Sequence, residues 1–343
     1  MAKRFVLPAV LIGLLLGGCA IGLQQPHMTE DPSPRSFSFA LIGDLAYRPQ
    51  EEPWLANVLR DLNNVPLAFV VHVGDLGSPS LGSCTNEFWE RRLAQFQGSA
   101  HPFVFTPGDN DWTDCHDKGG APGYDPFERL VRLRTVFFSG EQSLGRRTMS
   151  LTRQSRTSDT VLGKYRENAR WTYGGITFVT LHVVGSNNGR GRTPEGDTEY
   201  AERNTANLTW LREGFAHARA TQSRAIMIMQ QANMFHEFPP LPSGLNAQST
   251  GFTDLRVLLE QETKAFGKPV VLVHGDSHYF RIDKPFGART GRGVATTPTV
   301  ENFTRVETFG QPNHHWAHVT VEPDDPQVFT FRQRIVAPNI FKR

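Results

Sequence analysis

Cysteine is scarce in this 343-residue chain: Cys19, Cys84 and Cys115 are the whole set, and none stands in a CxxC pair, which weakens any reading of thiolate metal ligands. Net charge is nearly absent too. Lys and Arg number 36 against 34 Asp and Glu, a formal +2 that falls to zero once Lys3 and Arg4 leave with a leader, so nothing favours nucleic acid as a partner. No apolar run reads as a membrane-spanning helix: Phe5 to Leu16 is interrupted by Pro8 and too short. Low-complexity segments are lacking, and no long linker divides the roughly 320 residues beyond the leader, which suffice for one large domain or two small ones.

What is present begins with that leader. Lys3 and Arg4, the short apolar run and Leu16-Gly17-Gly18-Cys19 together resemble the lipobox of bacterial lipoprotein precursors. The resemblance implies a signal peptide over residues 1–18, diacylglycerol on Cys19 and a mature chain held to a membrane of the cell envelope, inner or outer, facing the periplasm. An ordinary secretory signal cut elsewhere is the alternative, and on either reading the chain leaves the cytosol. Gln24 to Arg35 is rich in Pro and polar residues, so residues 19–36 read as a tether and 37–343 as the folded domain, with 292–343 expected to supply late strands of a second sheet. In an oxidising compartment the two remaining cysteines, Cys84 and Cys115, are expected to pair.

Along the domain, strand-like runs at Phe37–Ile42, Phe69–Val73 and Pro102–Thr106 alternate with helical spacing at Pro53–Leu62, Glu87–Phe96 and Asp125–Phe138. Ser139 to Arg170 is polar and reads as a surface excursion with little core of its own. A hairpin follows, turning at Gly174-Gly175, then helices at Thr198–Ala218 and Thr253–Phe266 interleaved with the runs Ala225–Met229 and Val270–His274, and finally strands with no helix between them. Helices and strands first, then strands alone, predict an α/β fold of two packed mixed sheets flanked by helices.

One device recurs. Four of the apolar runs end in Gly-Asp, at Asp44, Asp75, Asp109 and Asp276. Loops at the carboxyl ends of neighbouring strands lie side by side, so four such aspartates converge only if cations offset their repulsion, and the repeat points to a metal site. The order Gly43-Asp44, Gly74-Asp75, Gly108-Asp109-Asn110-Asp111, Gln230-Gln231-Ala232-Asn233 and Gly275-Asp276-Ser277-His278 resembles the five blocks of calcineurin-like metallophosphoesterases, which read D-x-H, GD, GNH[DE], a strand ending in His, and GHxH.

The resemblance implies a two-metal centre at the strand ends and hydrolysis of a phosphorylated small molecule or phosphodiester by a hydroxide held on the ions. It places metal ligands at Asp44, Asp75, Asp109, Gln231 (or Gln230), Asp276 and His278, with Asp75 bridging. Asn110 stands where the family has its catalytic His and Ala46 where the first block has a ligand His. Purple acid phosphatases, a branch of that family, carry a ligand Tyr three residues after the second aspartate; Ser78 stands there, and Tyr47, three after the first, is not assigned as a ligand. Oxygen donors in place of imidazoles favour Mg²⁺ or Mn²⁺, and also Ca²⁺, over Zn²⁺. An Asn amide delivers no proton, so His116, with His182 second, is the candidate general acid. The competing class is a binding lipoprotein that keeps the fold without turnover. Six residues are weighed as structural or accessory: His72 as core, His274 as core or support for a ligand, the pair His314-His315 as exposed, and Arg190 and Arg192 as a solvated loop that could alternatively hold phosphate.

Overall fold

The computed structural model describes Met1 and residues 36–118, 121–156, 159, 161–235, 250–287 and 298–340. The leader, the lipidation site Cys19 and nearly all of the tether lie outside the described residues. Among the described residues no helix is long and apolar enough to cross a membrane.

Alternate side chains of a strand point to opposite faces, and in β1 (Phe37–Ile42) both faces are covered: Phe39 and Leu41 enter one apolar cluster, Ala40 and Ile42 another. A strand buried on both sides reads as a continuous apolar run, which is why the sequence shows runs here rather than alternation. The order continues with α1 (Glu52–Asn63), β2 (Val70–His72), α2 (Asn86–Gln97), β3 (Phe103–Phe105), the short pair β4 (Asp117–Lys118) and β5 (Ala121–Pro122), and α3 (Pro126–Phe137). Then come β6 (Thr152–Arg153), β7 (Ala169–Tyr173), β8 (Ile176–Thr180), the single turn α4 (Gly185–Asn188), α5 (Pro194–Ala220), β9 (Ala225–Met229), α6 (Thr253–Phe266) and β10 (Val270–His274). β11 (Arg281–Asp283), β12 (Phe303–Glu307), β13 (Trp316–Val321) and β14 (Phe329–Arg334) close the chain. Side chains cap three of the helices: Thr85 accepts from Phe88 N, Asp125 from Phe127 N and Thr193 from Gly196 N, each satisfying a first-turn donor.

Two mixed sheets face each other. The first has the order β14-β13-β1-β2-β3 and the second β11-β12-β10-β9-β8-β7-β6. Phe39, Phe69 and Val71 of the first meet Phe178, Met227 and Val273 of the second in the central layer. Helices α1, α2 and α3 cover the outer face of the first sheet through Leu55, Trp89 and Leu133, and α5 and α6 cover the second through Trp210, Phe215 and Leu259. The expected α/β sandwich is therefore the observed one. β1, β2 and β3 run parallel, as do β8, β9, β10 and β12, so many carboxyl ends emerge along one rim.

Two expectations are corrected. Only β12 of the late strands joins the second sheet; β13 pairs antiparallel with β1 and carries β14 with it, extending the first sheet. Composition cannot distinguish these partners, because both sheets offer an apolar inner face. The polar stretch 139–170 is not a bare excursion either: β6 pairs with β7, and Leu151, Tyr165, Glu167 and Asn168 are buried. Its charges are used internally. Burial alone would push the Glu167 carboxyl up, but Arg134, at 2.6 Å, and His182, at 2.7 Å, hold it below the ordinary range.

Candidate functional site

The four Gly-Asp turns sit at the rim where β1, β2, β3 and β10 end, and backbone hydrogen bonds stitch the turns together. Asp44 N–H donates to Gly74 O at 3.0 Å, Gly275 N–H to Gln231 O at 3.0 Å, and Asp276 N–H crosses from the second sheet to Asp44 Oδ1 at 3.0 Å. Asp44, Asp75, Asp276 and His278 all adopt left-handed backbone, with φ of 52, 59, 76 and 61°. Asp tolerates that region better than most residues, yet each instance costs on the order of 1–3 kcal/mol, and such strain concentrates at functional sites.

The carboxylates converge. A Cβ added to Gly185 would lie 2.7 Å from Asp109 Oδ2 and 2.8 Å from Asp276 Oδ1, so these two groups face the same point across the α4 backbone. A Cβ on Gly275 would collide with Asp44 Oδ2. Burial pushes Asp75 well above the usual carboxylate range, and the charges of Asp109, Asp44 and Asp111 add to it; Asp109 is raised by burial and then by Asp276 and Asp114. Asp44 is raised chiefly by burial, with His278 opposing, and its Oδ2 has no hydrogen-bond partner among the described residues.

Tyr47 completes the group. Its hydroxyl donates to Asp75 Oδ2 at 2.6 Å and stands 3.4 Å from Asp44 Oδ1 and 3.1 Å from His278 Nε2. Burial and the charges of Asp75 and Asp44 raise the phenol well above its ordinary pKa, so it is neutral in this setting. Ala46 is buried in the helix-side core with its carbonyl on Arg92, and the left-handed turn at Ala46, φ 57°, leaves the following residue to reach the aspartates. His278 Nδ1 lies 2.7 Å from Gln311 O, and although burial opposes protonation, Asp44 lifts the imidazole to about 8.

Gln231 Oε1 accepts from Gly185 N at 2.6 Å, and its Nε2 is buried without a partner among the described residues; Gln230 instead turns its amide to Ala232 O. Asn110 donates its backbone N–H to Asp75 Oδ1 at 3.1 Å, and its carbonyl lies 3.7 and 3.9 Å from the sulfurs of Cys84 and Cys115, which form the expected disulfide. The other candidate histidines lie elsewhere. His116 has Nδ1 2.9 Å from Thr113 O and lines a neighbouring cavity whose wall includes none of the four aspartates. His182 is buried on Glu167 beside Trp112. His72 is a core residue between Phe96 and Phe105, pushed down to about 3 by burial and Arg92; His274 is fully buried with Nδ1 on Gly275 O. His314, expected at the surface, is buried beside Glu51 and Trp54. Arg192 pairs with Asp114 at 2.6 Å, and Arg190 covers Tyr200.

Sequence reading passed over two contributors, Asp111 and Ser186, and weighed a third, Tyr47, without assigning it. Asp111 accepts from Gly108 N, Leu76 N and Asp75 N, clamping the second and third turns together; its place in the third block was the available signal. Ser186 donates to Asp109 Oδ2 at 2.7 Å and lies 3.0 Å from Asp114 Oδ2, from a loop with no motif to mark it. Tyr47 could have been found only from its spacing to Asp44.

No protein-family profile matches the sequence, and no curated protein sequence does either. Solved structures do match. A dimetal phosphatase from Danio rerio superposes with a TM-score of 0.51 at 14% identity, covering 89% of this chain and 97% of that one. This chain has the metallophosphoesterase fold. GAP50 of Plasmodium, described as the anchor in the inner membrane complex, aligns at 0.46 with 11% identity over 88% of this chain and 89% of its own. A 5'-nucleotidase from Candida albicans aligns at 0.41 with 11% identity over 86% of this chain and 50% of that one.

Within this metallophosphoesterase fold the donor set is chemically suited to a hard cation: buried carboxylates that raise one another's pKa, an unpartnered carboxylate oxygen on Asp44, a phenol and a single imidazole. Among the described residues no three Asp, Glu, His or Cys side chains already surround one point as ligands, and the Tyr47 hydroxyl stands between Asp44, Asp75 and His278. A cation held there would therefore meet the phenol oxygen as a further donor or displace it. Gly185→Ala is expected to lower kcat/KM for any phosphoester about tenfold, by wedging a methyl between Asp109 and Asp276, while the melting temperature stays within a few degrees. Unchanged kinetics would show that those two carboxylates do not act together.

Proposed function

We propose that the protein is a divalent-cation-dependent phosphoester hydrolase of the cell envelope. The observation that carries the reading is the convergence of Asp44, Asp75, Asp109 and Asp276 at one rim of the metallophosphoesterase fold, where burial and neighbouring carboxylates raise Asp75 and Asp109. Asp44, Tyr47, Asp75 and His278 would hold one ion, and Asp75, Asp109, Gln231 and Asp276 a second. Such ions would supply Lewis acidity toward a phosphoryl oxygen, and the oxygen-rich set favours Mn²⁺ or Mg²⁺ over Zn²⁺.

The chain's own residues orient and hold protons around that point. Asp111 and Arg92 fix the turns bearing Asp75 and Ala46, the former through three backbone amides and the latter through Leu76 O and Ala46 O. In the absence of an ion, Tyr47 Oη holds a proton on Asp75 and His278 Nε2 lies beside Asp44 and Tyr47; Asn110 is chemically unsuited to deliver a proton, and His116 lies on Thr113 O. The leader over residues 1–18, followed by Cys19, and the Cys84–Cys115 disulfide support an oxidising, membrane-proximal location. The second reading, a binding lipoprotein without turnover, is favoured by the Tyr47 hydroxyl at the centre of the carboxylates. The test is hydrolysis of 4-nitrophenyl phosphate and bis(4-nitrophenyl) phosphate by the purified chain, metal-stripped and then loaded with Mn²⁺, Mg²⁺ or Zn²⁺. Cation-dependent turnover, highest with Mn²⁺ or Mg²⁺, is expected; no turnover with any cation would leave the binding reading.

A further inference from the structure

A cavity of about 390 Å³ lies beside the two chain segments that lead away from Asp109, and its wall combines apolar rings with Thr113, His116, Arg192, Thr193 and Glu199. Trp112, Pro126 and Phe127 form its apolar part; Thr113, His116 and Arg192 are among its polar members. Two chain segments make up most of the wall, and they are the two that meet at Asp109. Trp112 and Thr113 directly follow the 3-10 turn Asp109–Asp111, and Thr113 Oγ1 donates back to Asp109 O at 3.1 Å. Gly189 and Arg192 follow Ser186, whose hydroxyl is on Asp109 Oδ2.

The polar side of the cavity is fixed rather than loose. Arg192 is held by Asp114 at 2.6 Å and by Thr113 O at 2.8 Å, and Asp114 in turn lies 3.0 Å from Ser186 Oγ, so a continuous chain of polar contacts runs from Arg192 to Asp109. His116 has Nδ1 on Thr113 O, which assigns any ligand contact to Nε2. The indole Nε1 of Trp112 is buried with no hydrogen-bond partner among the described residues, a donor whose desolvation nothing described here offsets. Concave apolar surface with a few convergent polar groups is the usual form of a small-molecule site, and aromatic walls favour flat aromatic occupants.

We infer that this cavity receives the organic group of the phosphoester, and that the substrate class is a phosphate ester of an aromatic or heteroaromatic alcohol. The inference rests on the reading of the aspartate cluster as the phosphoryl site. With the phosphoryl group at Asp109, the ester's ring would lie against Trp112 and Phe127, with its polar edge toward Arg192 and His116. Calorimetry with Mn²⁺-loaded full chain tests it, using benzylphosphonate and ethylphosphonate, which share a headgroup and differ in the ring. Benzylphosphonate is expected to bind at least about tenfold more tightly, and Phe127→Ser to abolish that difference while ethylphosphonate affinity holds. Because Phe127 is partly buried, Gly196→Leu is the second variant: it fills the cavity from the first turn of α5, where a Cβ meets nothing closer than 3.3 Å, and is expected to have the same effect. If both phosphonates bind equally, or the preference survives both variants, the cavity assignment is overturned and the phosphoryl reading stands. If neither phosphonate binds, the phosphoryl reading fails and the inference with it.

Discussion

Asp75→Asn is expected to abolish phosphoester turnover, by on the order of 10³-fold or more, and to remove most bound divalent cation, while leaving the metal-free protein as stable as before or more so. Asp75 lies between the other carboxylates: Oδ1 accepts from Asn110 N, Oδ2 from Tyr47 Oη, and Asp109, Asp44 and Asp111 are the charges that raise it. An amide keeps the shape and one acceptor but removes the charge that would attract a cation. The same removal relieves repulsion within a buried acidic group. Four carboxyls, those of Asp44, Asp75, Asp109 and Asp111, are raised in the folded state, the last to about 7. A raised carboxyl binds more protons folded than unfolded, so its contribution to stability is present below the unfolded pKa near 4 and is lost as pH rises toward the folded value. In chelator, the wild-type melting temperature is therefore expected to fall between pH 5 and pH 8, more steeply than that of Asp75→Asn, and Mn²⁺ is expected to restore it at the upper end. Metal analysis, turnover and melting curves on the same samples check all of this. Unchanged metal content and activity in Asp75→Asn would take Asp75 out of the site.

Removing the disulfide is expected to have the largest effect on stability. Cys84 and Cys115 are separated by 31 residues in sequence, and both are buried. In the chain-entropy account a loop of that length contributes about 3–4 kcal/mol by restricting the unfolded chain, and for a domain of this size that corresponds to roughly 5–6 °C in melting temperature. The bond also has a local task. It ties the loop after Asp75 to the turn Thr113–His116, and the Asn110 carbonyl lies against both sulfurs. The double variant Cys84→Ala with Cys115→Ala is therefore expected to lose activity at temperatures where it is still folded, because Asn110 N–H positions Asp75. A melting temperature within about 2 °C of wild type would show that the loop is held by other contacts, among them Arg129 Nη1 on Cys84 O at 3.0 Å.

Much of this was legible in sequence because the relevant signals are local. A strand buried on both faces must be apolar throughout, so β1, β2, β9 and β10 announced themselves, and each Gly-Asp marked where a strand ended. The four aspartates needed only the rule that carboxyl ends of parallel strands share a rim, and His278 came from the resemblance of its block to a known family. Tyr47 escaped that rule. Its spacing from Asp44 was visible, but whether it reaches Asp75, at 2.6 Å, depends on the left-handed turn at Ala46, and backbone handedness at a non-glycine residue leaves no mark in composition. Ser186 escaped for a different reason: it approaches Asp109 from a loop about 80 residues later, and only tertiary packing sets that distance.

The sequence by itself determined the layered α/β architecture and the rim where the aspartates gather, since both follow from periodicity and strand termination, and the pairing of Cys84 with Cys115, since no other cysteine follows Cys19. Tertiary structure alone decided which sheet β13 and β14 join, that His116 turns to a neighbouring cavity while Tyr47 stands among the carboxylates, and that the polar stretch 139–170 buries Glu167 against Arg134 and His182. Those outcomes depend on which surfaces meet across long sequence separations, and local propensity carries no information about the partner.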